Sequence, residues 1–508
     1  MSRPSTLSKL LFASTIFCST SVLAQPGTLD ASFGTGGETL IPVGSPYDLL
    51  WDLAIQADDK IVVVGSIGAL GGAAFEDAVI LRFHADGGVD STFGDNGKVI
   101  WTGTGGDDRA RAVAIDTDGR MVVAGETEDT GGEPHMFVLR LLADGSFDTS
   151  FSGDGVLVRP GSVFDDGTYT LDVACLPDGS ILVAGYVHYN LAAPFHNETS
   201  MWKCTPTGGT DWVSGWDLFQ DDLSDAANGM VVRPDGSNVL GTNTQFGTDQ
   251  RMGYVFFNSD GTHLLSNYQG AFDLATGNDY ATSILLLPDD HIVLAGKAGQ
   301  HAGMLGLVSN DSLDQGFGTD GQVLIQLGST STSLYGALAQ PWDKILLTGN
   351  FSDGSGTTAF LGRYNGDGTA DAVFGNAGVA THQPGGFSGD GRAIGLQSDG
   401  RIIVGGNYSP DGTYDMFLAR FNNDIATGLP TSAPSLFTAT PNPTNGKLTL
   451  TFSADGPHTL MLFDAHGHVL RSERMSGAMA TLSIDDLPAG IYLLRESGSA
   501  QGVRVVRQ

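Results

Sequence analysis

A ten-residue stretch close to LPDGSILVAG is written seven times along this chain, beginning at Gln56, Asp116, Leu176, Arg233, Leu287, Gln340 and Gln397. Successive starts lie 60, 60, 57, 54, 53 and 57 residues apart, so the chain is built from a unit of about 57 residues. A fixed period of this length constrains the fold more than any composition can. Each unit is one supersecondary piece whose apolar faces must be covered by neighbouring copies.

Residues 107–158 show the unit clearly. Four runs have strand character: Arg111 to Asp116, Met121 to Glu126, Met136 to Leu142 and Gly155 to Val158. Asp118-Gly119 joins the first two, and its tolerance of positive φ suits a tight hairpin. Both faces of these two strands are apolar, which predicts sheets covered on both sides. Glycine, at 72 residues, is roughly twice as frequent as usual, and charged residues make up only 16%. Many short strands joined by Gly and Asp turns give that profile, whereas helices do not. Four antiparallel strands per unit and seven units predict an all-β, seven-bladed β-propeller. A straight β-solenoid is the competing architecture, but its coils use fewer residues and pair between repeats.

A second element recurs between the third and fourth runs: LDASFGTGGE from Leu29, VDSTFGDNGK from Val89, FDTSFSGDGV from Phe147, LDQGFGTDGQ from Leu313 and ADAVFGNAGV from Ala370. Its Asp can close a local turn, its Phe can plug the gap between adjacent sheets, and its glycines turn the chain into the outer strand. The fourth and fifth copies have decayed to TDWVSGW from Thr210 and HLLSNYQ from His263. Together these signatures resemble the delta-60 repeat of bacterial exported proteins over about residues 28–424. That resemblance implies a repeat domain and brings no reaction or ligand with it. The chain opens on an outer-strand segment, Gly37 to Val43, and its last unit stops after three strands. Gly37 to Val43 is therefore expected to complete the sheet formed by Arg392 to Phe421, closing a ring.

The ends carry export signals. Residues 1–24 have the form of a signal peptide: Arg3 and Lys9, an apolar run from Leu10 to Phe17, and Val22-Leu23-Ala24 before a cleavage point. The propeller then spans 25–424, and a Pro, Ser and Thr-rich linker 425–435. In the last piece, 436–508, PNPTNG at Pro441, FDAHGHVL at Phe463 and LPAGIYLL at Leu487 resemble the type A sorting domain of the bacterial type IX secretion system. The residues carrying that likeness are Pro441, Asn442, Pro443, Asp464, Gly467, Gly490 and Tyr492. It implies an Ig-like β-sandwich, the type IX machinery as partner, and a secreted or outer-surface destination. An ordinary β-sandwich binding module is the alternative.

A formal net charge of −32, from 57 acidic and 25 basic residues, argues against nucleic acid and anionic membranes as partners. No run reaches the roughly 18 apolar residues of a transmembrane helix. Cys175 and Cys204 fall on two strands of one sheet with a third between, which favours two thiols over a disulfide. No GxSxG elbow, HExxH helix or CxxC pair is present, which lowers the odds of an enzyme. His188 and His196 share the segment HYNLAAPFH, expected to be a long loop, without a third metal ligand in view.

One set of carboxylates stands out. Eight residues before the opening motif stand Asp48, Asp108, Asp225 and Asp279, with Asp166 and Asp390 close to that register and no acid in the sixth unit. If the first strands line an axis, these side chains ring one mouth of a channel. They can cap their own loops, or they can hold Ca²⁺ and through it a glycan. The expectation is a non-catalytic binding or adhesion protein for an extracellular glycan or protein. A polysaccharide-degrading enzyme using carboxylates at the channel mouth, and an architectural matrix protein, are the alternatives. The sector around Val187 to Thr199 and the decayed repeats is the expected place for a specific contact.

Overall fold

The computed structural model describes residues 25–44, 46–68, 75–103, 105–159, 167–189, 196–216, 225–246, 249–262, 269–287, 290–308, 312–341, 343–423, 437–442, 444–452, 456–463, 469–488, 490–496 and 502–507. The expected signal peptide, the expected linker, Asp166, Pro443, Asp464 and Gly467 lie outside the described residues. The described elements are β-strands and one 3₁₀ turn, Pro384–Gly386.

Residues 38–421 form seven four-stranded antiparallel sheets, numbered here 1 to 7 in chain order of their first strands. Those first strands are Tyr47–Ile55, Asp108–Ile115, Thr168–Cys175, Asp225–Val232, Asp279–Leu286, Ser331–Gln340 and Ser388–Leu396. Each packs against the first strand of the next sheet, and that of sheet 7 against that of sheet 1. Sheet 2 runs Asp108–Ile115, Met121–Glu128, Pro134–Leu141 and Val156–Val158, within a few residues of the runs read from the sequence. Its first turn is tighter than the dipeptide alone predicts. Gly119 takes φ +80°, and one carboxylate oxygen of Asp116 accepts from the amides of Asp118 and Arg120, both at 2.9 Å.

Burial differs from the expectation in one respect. The second and third strands are buried almost throughout, as in Ile61–Gly68 and Met136–Leu141, whereas the first strands alternate between buried and half-buried. The sheets converge at the first strands, so alternate side chains there meet the open axis instead of a covering sheet.

The Phe elements do the stapling. Phe33, Phe93, Phe151, Phe317 and Phe374 are buried. In four of the five, the preceding Asp pairs with an arginine of the third strand: Arg82–Asp90 at 2.9 Å, Arg140–Asp148 at 2.8 Å, Arg363–Asp371 at 3.0 Å and Arg420–Asp30 at 2.8 Å. Each guanidinium also lies over the Phe ring, 4.6 to 4.9 Å from its centroid. In sheet 5 the arginine position is Gly306, whose missing Cβ would stand 2.5 Å from the Phe317 ring. The element also donates to the next sheet, Gly94 N to Asp144 O at 2.8 Å and Ser152 N to Thr207 O at 2.9 Å. Gly87 and Gly145 must be glycines here, since both have positive φ and a Cβ would meet Phe33 at 2.7 Å or Phe93 at 2.9 Å. Truncating such a Phe would cost about 3–5 kcal/mol.

Glu38–Ile41 pairs with Asp415–Phe421 in the register Glu38↔Ala419 to Ile41↔Met416 and becomes the fourth strand of sheet 7, as the order of the chain predicts. Cys175 and Cys204 are both free thiols on the first and third strands of sheet 3, and burial pushes the Cys175 thiol up to about 12.

Beyond residue 436 a three-stranded sheet (Phe437–Thr440, Lys447–Phe452, Met479–Ser483) faces a four-stranded one (Val469–Ser476, Pro457–Phe463, Gly490–Glu496, Gly502–Arg507). Leu448, Leu450 and Leu482 of the first share a core with Leu460, Leu462, Leu494 and Val505 of the second.

Candidate functional site

The first strands meet one another around the ring of sheets. Asp48, Asp108, Asp225 and Asp279 take one common place, two residues before a bulge in their strand, and all four are buried. They are turned into the protein. Asp48 Oδ2 accepts from the amides of Val43 at 2.8 Å and Gly44 at 3.1 Å, and Asp108 Oδ2 from Gly103 at 2.6 Å. Asp279 accepts from Leu274 at 2.6 Å and from Gly299, the next hairpin, at 2.9 Å. Burial raises the Asp108 and Asp279 carboxyls, while these amide donors oppose the rise. Asp48, Asp108 and Asp279 thus cap the segments that lead into their strands.

Asp390 does not share this place. Gly389 does, with Asp390 one residue further on, on the half-buried face and paired with Arg392 at 2.9 Å and 3.0 Å. In sheets 3 and 6 the place is held by Thr168 and Thr332, and Thr332 Oγ1 accepts from Leu327 N at 2.9 Å just as the aspartates do. The eight-residue count already lands on these threonines. A hydroxyl oxygen accepts an amide as a carboxylate does, so the repeated feature is a cap and not a charge.

Four residues further along, Asp52 and Asp172 connect neighbouring sheets. Asp52 accepts from Leu53 N at 2.8 Å and from Val113 N of sheet 2 at 2.9 Å. Asp172 accepts from Val173 N and, in sheet 4, Met230 N, both at 2.7 Å. Burial pushes the first up to about 7, with the Asp172 charge adding to the rise, and the second up to about 6. Sequence reading passed over this pair because only two of the seven units carry an acid there. Around the same level Trp51 lies between Arg111, at 4.1 Å, and Arg392, at 5.6 Å, and Arg392 also covers Tyr335 at 4.1 Å.

A cavity of about 260 Å³ opens between sheets 3 and 4. Sheet 3 contributes Leu171, Tyr186 and Asn197, and sheet 4 contributes Ala226, Asn228, Asn243 and Gln250. Tyr186 stacks on Tyr169, with centroids 4.7 Å apart and planes 16° from parallel. Asn228 occupies the bulge between Ala227 and Gly229 and so has no cross-strand partner, and its Nδ2 lies 3.5 Å from Ala226 O. His188 Nδ1 sits 2.8 Å from Asn197 Oδ1, and Asn243 Oδ1 is buried with no hydrogen-bond partner. At the two ends of the segment expected as a loop, His188 pairs with Asn197 and Tyr189 with His196; residues 190–195 lie outside the described residues. The two histidines therefore lie on paired strands.

Among the described residues, one group of three metal-ligand types converges elsewhere: Asp129, Glu133 and His135, with ligand atoms within 4.8 Å, at the second hairpin of sheet 2. The Asp129 carboxylate already accepts from Gly131 N at 2.7 Å and Glu133 N at 3.1 Å.

In the C-terminal unit Asn442 Oδ1 accepts from Val506 N at 2.8 Å, Tyr492 Oη donates to Pro488 O at 2.8 Å, and Gly490 opens the strand Gly490–Glu496. Residues 56–93, 117–151, 340–374 and 397–424 match the family described as a domain of unknown function (DUF5122) beta-propeller, and residues 439–505 match a secretion system C-terminal sorting domain. The chain carries DUF5122 β-propeller repeats and ends in a sorting domain. That tail marks the DUF5122 repeats for export by type IX secretion, to the cell surface or beyond it. The unmatched stretch between residues 151 and 340 holds the decayed elements and the cavity.

No curated protein matches the chain. Among solved structures it is similar to a protein of unknown function from Dyadobacter fermentans (11% identity, 76% of this chain, 98% of that one, TM-score 0.46). It is also similar to the β-propeller domain of the Trilobed protease from Pyrococcus furiosus (10% identity, 76% and 99% covered, TM-score 0.41).

Proposed function

We propose that this protein is an exported, non-catalytic binding protein: a seven-bladed propeller presenting one recognition cavity, followed by an Ig-like sorting domain. In this reading residues 1–24 are a signal peptide, 25–424 the propeller, 425–435 a linker, and 436–508 the part read by the type IX machinery. The cyclic contact of seven first strands and the pairing of Glu38–Ile41 with Asp415–Phe421 support the blade count and closure. Two facing sheets around one core support the sandwich.

The observation that carries the binding role is the polar cavity between sheets 3 and 4, with a buried acceptor, Asn243 Oδ1, left without a partner. Buried acceptors are ordinarily bonded, and a cleft with a few convergent polar groups is the usual form of a ligand site. The capped carboxylates favour binding over hydrolysis, because a group already accepting two backbone amides is a poor acid or base.

The reading is tested by expressing the full chain and a form ending at residue 436 in a type IX-competent host, then screening the exported protein on a glycan and protein array and against hydrolysis of the same glycans. Export that depends on the tail, and binding without turnover, are expected. Export independent of residues 437–508, or sugar release, would overturn it.

A further inference from the structure

We infer that the cavity between sheets 3 and 4 takes one neutral sugar residue, seated on the Tyr186 ring and hydrogen-bonded by the carboxamides of Asn197, Asn228, Asn243 and Gln250. The inference rests on the binding role proposed above and gives it a ligand class.

The chemistry of the walls decides among classes. Among the described residues, four of the seven that line the cavity are carboxamides and none is ionised. A carboxamide sets a donor pair beside an acceptor, which matches a hydroxyl that both donates and accepts, and two neighbouring hydroxyls best of all. An anion would require Arg or Lys, and a cation carboxylates. Tyr186 remains a neutral donor, since burial, with Tyr169 and Glu126 nearby, pushes its hydroxyl up to about 12. Its ring, backed by Tyr169, gives the flat apolar surface on which the C–H face of a sugar packs.

Charge and size narrow the class further. A net charge of −32 repels uronates and sulfated glycans at long range, so an uncharged sugar approaches without penalty. The volume, about 260 Å³, lies just below the roughly 300–1,000 Å³ of drug-sized ligand sites, which suits a single ring and not an extended chain. A peptide would more naturally add to a sheet edge, and these walls are sheet faces.

The asymmetry of the repeat gives the site its place. Paired positions on the first and second strands read Arg109↔Glu126 in sheet 2 and Asp390↔Asn407 in sheet 7. There the side chains are engaged: Glu126 Oε1 holds Arg111 at 2.6 Å, although Oε2 has no partner, and Asn407 bonds both backbone groups of Leu50 in sheet 1, at 2.7 Å and 3.3 Å. At the same place in sheet 4 the pair is Ala226↔Asn243, and the Asn243 oxygen bonds nothing. Loss of the regular staple and gain of an idle amide coincide in one sector.

The test is saturation-transfer NMR on the full exported chain with glucose, galactose, mannose and N-acetylglucosamine, and with galacturonate and triglycine as the charged and peptide arms. Transfer from at least one neutral sugar is expected, with affinity falling about tenfold in Asn243→Ala and again in Asn228→Ala, as loss of one hydrogen-bonded group implies. Gln250→Ala, at the half-exposed wall, and Tyr186→Phe serve if either variant fails to fold. Transfer only from galacturonate or triglycine would overturn the inference while leaving the binding role standing, as would neutral-sugar binding that survives these substitutions. Silence from every neutral sugar overturns it as well. Release of p-nitrophenol from p-nitrophenyl glycosides of the same sugars would instead remove the binding role itself.

Discussion

Arg420 Nη2 stands 2.8 Å from Asp30 Oδ2, joining residues that are 390 positions apart and buried together beside the Phe33 ring. Arg420 also donates to Ala85 O of sheet 1 at 2.7 Å, so one guanidinium ties the start of the chain, the last repeat and the first sheet. Elsewhere the same staple joins residues 8 apart, as in Arg82 and Asp90.

Because it links the two ends, this staple should be the most consequential of the four. Arg420→Met leaves Asp30 its Ser32 hydrogen bonds and, as counter-charge, the more exposed Arg401 at 2.9 Å, and breaking a buried pair costs about 3–5 kcal/mol. A large drop in melting temperature is expected, with hydrogen exchange rising first in Ile402–Ser409 and Asp415–Phe421. Deleting residues 25–41 should do the same through loss of the fourth strand. Unchanged exchange in sheet 7 would contradict the clasp.

The axial aspartates are expected to act as caps. Asp48→Ala strands the amides of Val43 and Gly44 and should cost about 1–3 kcal/mol, and Thr332→Ala a comparable amount at Leu327. Calorimetry with Ca²⁺ on the wild-type protein should give no heat and no shift in melting temperature. A Ca²⁺-dependent rise abolished by Asp48→Ala would restore the carboxylates as a cation site.

Asp52 and Asp172 set a pH dependence whose sign follows from their raised values of about 7 and about 6, against about 3.8 in an unfolded chain. A carboxyl whose folded value is raised contributes stability in full below the unfolded value, and loses it as pH climbs through the folded value. Stability should therefore fall between about pH 4 and pH 7, by on the order of a few kcal/mol for the pair, and the melting temperature with it. In the double variant Asp52→Asn, Asp172→Asn that fall should shrink, while the general effect of the net charge remains. An identical pH profile in the variant would refute the assignment.

In the sorting domain, Asn442→Ala frees the amide of Val506 and should cost about 1 kcal/mol, and Tyr492→Phe, which releases Pro488 O, a similar amount. Both should lower the melting transition of that unit and reduce export, measured as the extracellular fraction. Wild-type export from a markedly destabilised Asn442→Ala tail would separate recognition from folding.

Much of this architecture is legible in the residue order. The 57-residue period fixes the number of sheets, apolar runs locate strands, Asp-Gly pairs mark turns, and the incomplete last unit announces the pairing of Glu38–Ile41 with Asp415–Phe421. These are local or counting properties, and a repeat states them several times over.

The candidate site was legible only in its sector. Counting along the chain puts Asp48 and Asp279 in register, yet cannot say that their carboxylates turn inward to amides four or five residues earlier, which depends on how each loop returns to its strand. Nor does it show that Asn407 reaches the backbone of Leu50 while the Asn243 oxygen, at the equivalent place, has no partner. The sequence determined which segments repeat and therefore that they stack. Whether a side chain in the stack becomes a bond or a vacancy was decided by the facing sheet, which only the tertiary structure brings alongside.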